Sequence, residues 1–309
     1  MQKLLSEPNE WSEVVILDSL TYAGNLGNLA SVVQNPRFRF VQGDIRDESL
    51  VAELIRDTQV VVHFAAESHV DRSIQNPNEF VSTNVLGTNN LLRVCLEIGI
   101  EKFIHISTDE VYGSIEVGSW NEDSPVSPNS PYSASKASSD MIALSYFRTF
   151  GLPVVVTRCS NNYGKFQYPE KLIPLAVTNL IEGIAIPIYG DGSNSRDWLD
   201  VRDHCQAIDL VVSKGRVGET YNIGGGEELS NLELVHKLLS IFGLDDTYIN
   251  FVSDRKGHDK RYSVSYEKIA SECGYKPRHS FENSLEETVY WYRSNEDWWR
   301  PLKTALAGK

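Results

Sequence analysis

What the sequence lacks narrows the field first. No apolar run approaches the ~18 residues a membrane span needs; stretches such as the one around Val60–Val62 are strand-sized. The opening MQKLLSEPNEW carries acids and no long apolar core, so it does not read as a secretory signal. Cysteine is scarce: Cys95, Cys159, Cys205 and Cys273 stand alone, without a CxxC pair. No His/Cys/carboxylate set has zinc-like spacing, so neither a disulfide framework nor a metal site is expected. Basic side chains are outnumbered, 29 against 42 acidic ones, for a net charge of −13 over 309 residues. Such a surface repels a nucleic-acid backbone, yet a local basic pocket can still serve one nucleotide diphosphate. A core is present: 41% hydrophobic and 10% aromatic residues argue against disorder. The expectation is a soluble, cytoplasmic chain of about two domains.

β-Branched runs at 14–17, 38–41, 60–64, 103–106 and 153–157 alternate with helical spacing over 48–57, 79–98 and 133–150. That alternation predicts βαβ units and a doubly wound parallel, Rossmann-type sheet whose strands are covered on both faces. After Arg158 the rhythm breaks. A turn-rich 161–171, a helix over 172–183, a DGSNSR loop at 191–196 and a strand at 219–223 lead into a mostly helical remainder ending in a Trp-rich 287–299. The expected division is a dinucleotide-binding domain of 1–158 with 197–224, and a smaller substrate domain of 159–196 with 225–309.

One piece of that fold is missing from the text. A dinucleotide fold opens with a strand, a glycine-rich turn and a helix N-terminus that receives the pyrophosphate. Here residues 2–5 read as the end of a helix, the first strand is already 14–17, and no GxGxxG precedes it. The later Gly224–Gly226 run reads as a tight interlobe turn.

Asp18 closes the first strand and is followed by Ser19, Leu20 and Thr21; Asp44-Ile45 repeats the arrangement after the next strand. An acid there either forms a turn or bonds an adenosine ribose and repels a 2′-phosphate, which favours NAD over NADP. Tyr132 and Lys136, four apart at a helix start, share one face. A tyrosine base at neutral pH must lose about 3 pKa units, or ~4 kcal/mol, which a neighbouring ammonium and a cationic nicotinamide ring supply. Upstream, an apolar strand delivers Ser107, Thr108, Asp109 and Glu110 at its C-terminal end, where ligands of such sheets bind. Adjacent acids there are either a helix-start turn or a general acid and base.

Asp18, AAES (65–68), STDEVYG (107–113) and Tyr132/Lys136 resemble the extended short-chain dehydrogenase/reductase family. HFAAESHVDRSI (63–74), CSNNYGKFQYPEKLIP (159–174) and RKGHDKRY (255–262) are similar, more narrowly, to its dTDP-glucose 4,6-dehydratases, over essentially all of the chain from Val14 to about Leu302. The resemblance implies NAD as cofactor and C4 oxidation, C5/C6 water elimination and hydride return to C6. It implies Glu110 as base, Asp109 as acid, Tyr132 taking the C4 hydroxyl proton, Lys136 lowering its pKa and holding the ribose, and Thr108 bonding the C4 oxygen. It places Ala65, Ala66, Ser68, Thr83 and Asn162, with Asp18–Thr21, Asp44 and Ile45, at the cofactor. Arg196 and Arg255 would clasp the diphosphate, with Ser68, Asn161, Lys171, Leu172, Pro187, Tyr189, Asn231, His258 and Tyr262 completing the nucleotide-sugar site. His258 lies in KGHDKR, which taken alone is a solvated loop.

Three functions remain open at this point: a nucleotide-sugar 4,6-dehydratase, a C4 epimerase or decarboxylase of the same fold, and a non-catalytic relative without a pyrophosphate cradle. A homodimer through a four-helix bundle of 79–98 and 133–150 is implied. The absent strand, turn and helix start amount to ~15–20 residues by ordinary element lengths, so a longer working protein is expected. A chain of only these 309 residues would be poorly stable and hold NAD weakly.

Overall fold

The computed structural model describes Leu5 and residues 11–307. Apart from Leu5, which is helical and buried, the helix end read at 2–5 lies outside the described residues. The architecture is α/β. Strands β3 (Val60–His63), β4 (Lys102–Thr108), β5 (Val154–Cys159) and β9 (Thr220–Ile223) form a parallel sheet in the order β3-β4-β5-β9. Side-chain alternation sends Phe103, Val154 and Val156 to one face, where they meet Val51, Leu92 and Ala143 of the Glu48–Ile55, Thr88–Ile98 and Pro131–Phe150 helices. Ile104, Val155 and Tyr221 go to the other face, against Ala207 and Val211 of the Val201–Lys214 helix and Ile269 and Cys273 of Glu267–Cys273. Period-2 strands with apolar residues on both faces are what a doubly covered parallel sheet requires.

Strands β1 (Val14–Asp18) and β2 (Phe38–Gln42) pair in parallel with each other in a separate two-stranded sheet. Among the described residues no ladder joins them to β3, and the apolar residues of β1 and Val60–Val62 of β3 are only half-buried. The expectation that every early strand is covered on both faces is thus corrected for β1–β3. Among the described residues no strand lies between β1 and β3, the place that the opening strand takes in doubly wound sheets.

The second lobe packs Ile173 and Val177 of Leu172–Ile181, Leu234 and Leu238 of Asn231–Phe242, and Leu285, Tyr292 and Trp299 around Tyr163. It contains β6 (Asn161–Tyr163), β7 (Ile186–Tyr189), β8 (Ser195–Asp200), β10 (Glu228–Ser230) and β11 (Ile249–Val252), in the sheets β10-β8-β6 and β11-β7. Three sequence expectations are corrected here. Arg196 is in β8 rather than a loop, because the turn ends at Asn194. The helix read over 79–98 is Pro77–Phe80, a π-helical turn Val81–Gly87, and Thr88–Ile98. The Trp-rich helix breaks at Asn295 between Phe281–Ser294 and Glu296–Ala307. No helix is long and apolar enough to cross a membrane, and no group of three metal-binding side chains occurs among the described residues. Cys95, Cys159 and Cys273 form no disulfide.

Two ties connect the loop after β1 to the second lobe. The Tyr22 hydroxyl donates to Glu170 Oε1 at 2.8 Å, beneath the Arg72 guanidinium, whose Nε meets Glu170 Oε2 at 3.2 Å. Trp298 Nε1 donates to Asn28 Oδ1 at 2.9 Å.

Candidate active site

The helix carrying Tyr132 and Lys136 is specified at both ends. Ser130 caps it through a reciprocal box with Ser133, Pro131 fills its first turn, and Gly151 ends it at φ +74°, a left-handed conformation that glycine adopts without strain. Beside it β4 ends at Thr108, whose Oγ1 accepts from Glu110 N at 3.2 Å and starts the single turn Asp109–Tyr112. The paired acids therefore do form a helix-start turn, and that turn stands at the C-terminal end of the sheet.

Asp109 is only 2% exposed and its Oδ2 has no partner. Burial, then the charges of Glu110 and Asp197, push its carboxyl well above the ordinary carboxylate range. Burial raises Glu110 as well, against the opposing pull of Lys171, Arg255 and Arg196, so these three cations converge on it. The two carboxyls are thus set differently: Asp109 is favoured in its protonated form, while Glu110 faces three positive charges. Burial and the Glu110 charge push the Tyr132 phenol well up, and the Lys136 ammonium donates to Ile106 O at 2.7 Å.

Lys171 Nζ donates to Ser68 O at 2.9 Å, joining the Ala65–Ser68 loop after β3 to the start of Leu172–Ile181. Arg196 is 5% exposed; its guanidinium donates to the carbonyls of Ser195 and Asp259 and lies 4.3 Å over the Tyr262 ring, whose hydroxyl donates to Asp259. Arg255 Nη1 is 3.9 Å from Asp71, its Nε is buried without a partner, and Tyr189 at the end of β7 donates to the same Asp71 at 3.3 Å. Tyr189 meets the His258 ring edge-on, and His258 Nδ1 pairs with Asp254 at 2.6 Å, so this histidine is anchored rather than loosely solvated. Asn161 and Asn162 open β6, Pro187 is in β7, and Asn231 begins its helix with its amide on Asn194 O.

The residues expected at the adenosine end hold contacts of their own. Asp18 Oδ1 accepts from Leu20 N at 2.7 Å, with Leu20 at φ +51°, and Ser19 and Thr21 continue that exposed turn. Asp44 pairs with Arg46 at 2.7 Å, Arg46 reaches Glu79, and Thr83 donates to Glu79. The Ile45 side chain is in the core. Gly224–Gly226 is an interlobe turn: Asp197 accepts from Gly225 N and Glu227 N, and a Cβ on Gly225 would lie 1.9 Å from Trp198 O.

The residues present fit a dinucleotide at its two ends. Ser107 Oγ and Asn162 Oδ1 are buried without partners at the ends of β4 and β6, the kind of orphaned polar atoms a carboxamide or ribose satisfies. Asp18 offers an exposed carboxylate at the end of β1. Among the described residues no glycine-rich turn leads into a helix N-terminus for the pyrophosphate.

Asn84 was missed in the sequence. Buried in the π-helical turn, it accepts from Glu67 N at 2.8 Å and donates to Glu67 O at 2.9 Å and Ser135 Oγ at 2.8 Å. It clamps the Ala65–Ser68 loop to the Tyr132 helix. An asparagine inside an apolar helical stretch was the available signal.

The sequence matches the GDP-mannose 4,6 dehydratase family over residues 1–288. It is 57% identical to a dTDP-glucose 4,6-dehydratase of Streptomyces antibioticus, over 96% of this chain and 87% of that one. The structure is similar to DesIV, a dTDP-glucose 4,6-dehydratase from Streptomyces venezuelae solved with NAD bound: TM-score 0.94, 56% identity, 95% and 91% of the two chains. A UDP-glucuronic acid 4-epimerase from Bacillus cereus shares the fold at TM-score 0.87 and 30% identity, over 91% of each chain. The paired acids, the Tyr–Lys helix and these likenesses agree: the chain belongs to the GDP-mannose 4,6 dehydratase family, among its dTDP-glucose 4,6-dehydratases.

Proposed function

We propose that the protein converts dTDP-glucose to dTDP-4-keto-6-deoxyglucose with NAD as a resident cofactor. The observation that carries this is the Asp109–Glu110 pair: two carboxyls at the end of β4, beside Tyr132, with Asp109 buried, pushed well above the ordinary carboxylate range by that burial, and one of its oxygens unpartnered. Dehydration needs a base for the C5 proton and an acid for the departing C6 oxygen, and two carboxyls in unlike surroundings fill those roles. Tyr132 takes the C4 hydroxyl proton, Thr108 bonds the C4 oxygen, and Lys136 supplies the positive charge that offsets the burial of the phenol. Glu110 removes the C5 proton, Asp109 gives its proton to the leaving hydroxyl, which departs as water, and Glu110 returns its proton to C5 as the hydride arrives at C6; the proton that Tyr132 took from the C4 hydroxyl balances the one Asp109 gave up. When bound, NAD would supply the hydride acceptor for C4, the hydride donor for C6 and a second positive charge beside Tyr132. Ser107, Asn162 and the Ala65–Ser68 loop would hold its nicotinamide half, and Asp18–Thr21, Asp44, Ile45 and Thr83 its adenosine half. Lys171, Arg196 and Arg255 would neutralise the substrate diphosphate, with Asn161, Leu172, Pro187, Tyr189, Asn231, His258 and Tyr262 around the nucleotide.

Incubation with dTDP-glucose, following the 4-keto product, tests this, with GDP-mannose, CDP-glucose and UDP-glucose as controls. A C4 epimerase does not need the acid pair, so turnover that survives Asp109→Asn with Glu110→Gln would overturn the dehydratase assignment. Purified protein without bound NAD would point instead to a non-catalytic relative. The assignment extends to a cytoplasmic homodimer, with 1–158 and 197–224 as the cofactor domain and the remainder as the substrate domain. The dimer is supported by Leu86 and Met141, 60% and 58% exposed on the π-helical turn and the Tyr132 helix; a monomer in sedimentation would remove it.

A further inference from the structure

The Tyr132 helix carries a third ionisable group in the same line. Asp140 lies one turn beyond Lys136, so Tyr132, Lys136 and Asp140, each four apart, share a face. Asp140 is completely buried. Its Oδ2 accepts from Arg158 Nε of β5 at 2.9 Å, and its Oδ1 lies 3.2 Å from His105 Nε2 of β4. His105 in turn meets Ser139 Oγ at 3.1 Å.

The charges around this group can be counted from every side. On β4, burial pulls His105 down and keeps it neutral; on β3, His63, whose ring is 5.4 Å from that of His105, is pulled down for the same reason. On β5, burial pushes the Cys159 thiol up to about 12, so it is neutral too, while Arg158 is charged and stands 4.7 Å over the Tyr112 ring. Tyr112, from the turn after β4, donates to Asn222. Asp109 and Glu110 lie on the Tyr132 side. The helix and sheet thus enclose two cations, Lys136 and Arg158, and the anion whose charge acts on both is Asp140. Burial alone disfavours the Lys136 ammonium, and the opposing pull comes first from Asp140.

We infer that Asp140 is a positioning residue of the reaction, a buried counter-anion that keeps the Lys136 ammonium charged on the helix face it shares with Tyr132. The inference rests on the Tyr132–Lys136 chemistry proposed above. Without this carboxylate the Lys136 ammonium and the Arg158 guanidinium are both buried with their shared anion gone, and of the two only lysine can shed its proton. The alkaline limb of activity therefore moves to lower pH when Asp140 is neutralised.

The test is the pH profile of kcat/KM for Asp140→Asn holoenzyme with dTDP-glucose. The alkaline limb is expected to fall by about one pH unit or more, with KM at neutral pH within about twofold. A second readout needs no turnover: bound NAD, which Lys136 would hold through the ribose, is lost at lower pH in the variant than in the parent. Asp140→Glu restores the limb. Adding Arg158→Met to Asp140→Asn moves it back up, because one cation leaves with the anion; a packing role predicts a worse double variant and an unmoved limb. Folded Asp140→Asn protein with the parental limb and parental NAD retention overturns the inference. Should that variant not fold, Arg158→Met alone must move the limb to higher pH, and an unmoved limb overturns it equally. Lys136→Met separates the two levels. If it retains turnover, the Tyr–Lys chemistry itself fails; if it is inactive while Asp140→Asn is unshifted, only the role of Asp140 fails.

Discussion

The two ends of the proposed nucleotide-binding face are built differently. At the ends of β4 and β5, the reacting groups stand on strands that are buried on both faces, and Thr108, Asp109, Tyr132 and Lys136 are held by capped turns and a helix specified at both ends. At the ends of β1 and β2, the expected adenosine contacts stand on half-buried strands and are organised by local turns, Asp18 on Leu20 N and Asp44 on Arg46. Reacting atoms need placement within a fraction of an ångström, whereas a ribose hydroxyl needs only a carboxylate within reach. Burial and capping are concentrated where the proposed chemistry demands placement.

The contrast can be broken or sharpened by experiment. The largest effect is expected from Asp109→Asn with Glu110→Gln: a fall of roughly 10³–10⁴-fold in formation of the 4-keto product, with bound NAD retained. Next is folding. Phe103→Ala, in the core of β4, should cost ~3–5 kcal/mol in denaturant unfolding, and Leu17→Ala, half-buried in β1, only about 1; equal costs would erase the distinction. The well-packed half should also be the acid-sensitive one. His204, buried under the sheet with Nε2 unpartnered, is held down to about 4 by burial. Since the unfolded ring titrates near ~6.5, the unfolded chain binds more protons below that pH. Stability is then full above it and is lost by roughly 3 kcal/mol for this ring as pH falls toward 4. His204→Leu should flatten the slope of Tm against pH in that window. The smallest effect is at the adenosine end. Asp18→Ala should weaken NAD binding roughly tenfold by direct titration while the unfolding midpoint stays near that of the parent.

What was legible in the sequence follows the same divide. The runs at 103–106 and 153–157 announced β4 and β5 because buried parallel strands leave continuous apolar text, and YSASK with STDE pointed to the proposed chemical centre because each is local in sequence. Features made by distant residues were not legible. The Asn84 clamp spans 17 and 51 positions, and the Asp140–Arg158 pair spans 18. Nor does any single-residue signal show that Arg196 faces inward onto Tyr262. The π-helical turn was hidden because its sequence, VSTNVLG, keeps an apolar spacing close enough to an α-helix. β7 escaped because it holds Pro187, which a strand paired on one side tolerates.

The ties from Tyr22 to Glu170 and from Trp298 to Asn28 bear on time rather than on affinity. In the proposed reaction the hydride is borrowed and given back within one turnover, so nothing is gained by exchanging the cofactor between cycles. The loop that runs on from the proposed adenosine contacts is held by both ties and by the edge-on contact of Tyr22 with Tyr168. Loss of either tie should then shorten the residence of the cofactor, and an enzyme that parts with it after the first hydride transfer strands its substrate half-reacted.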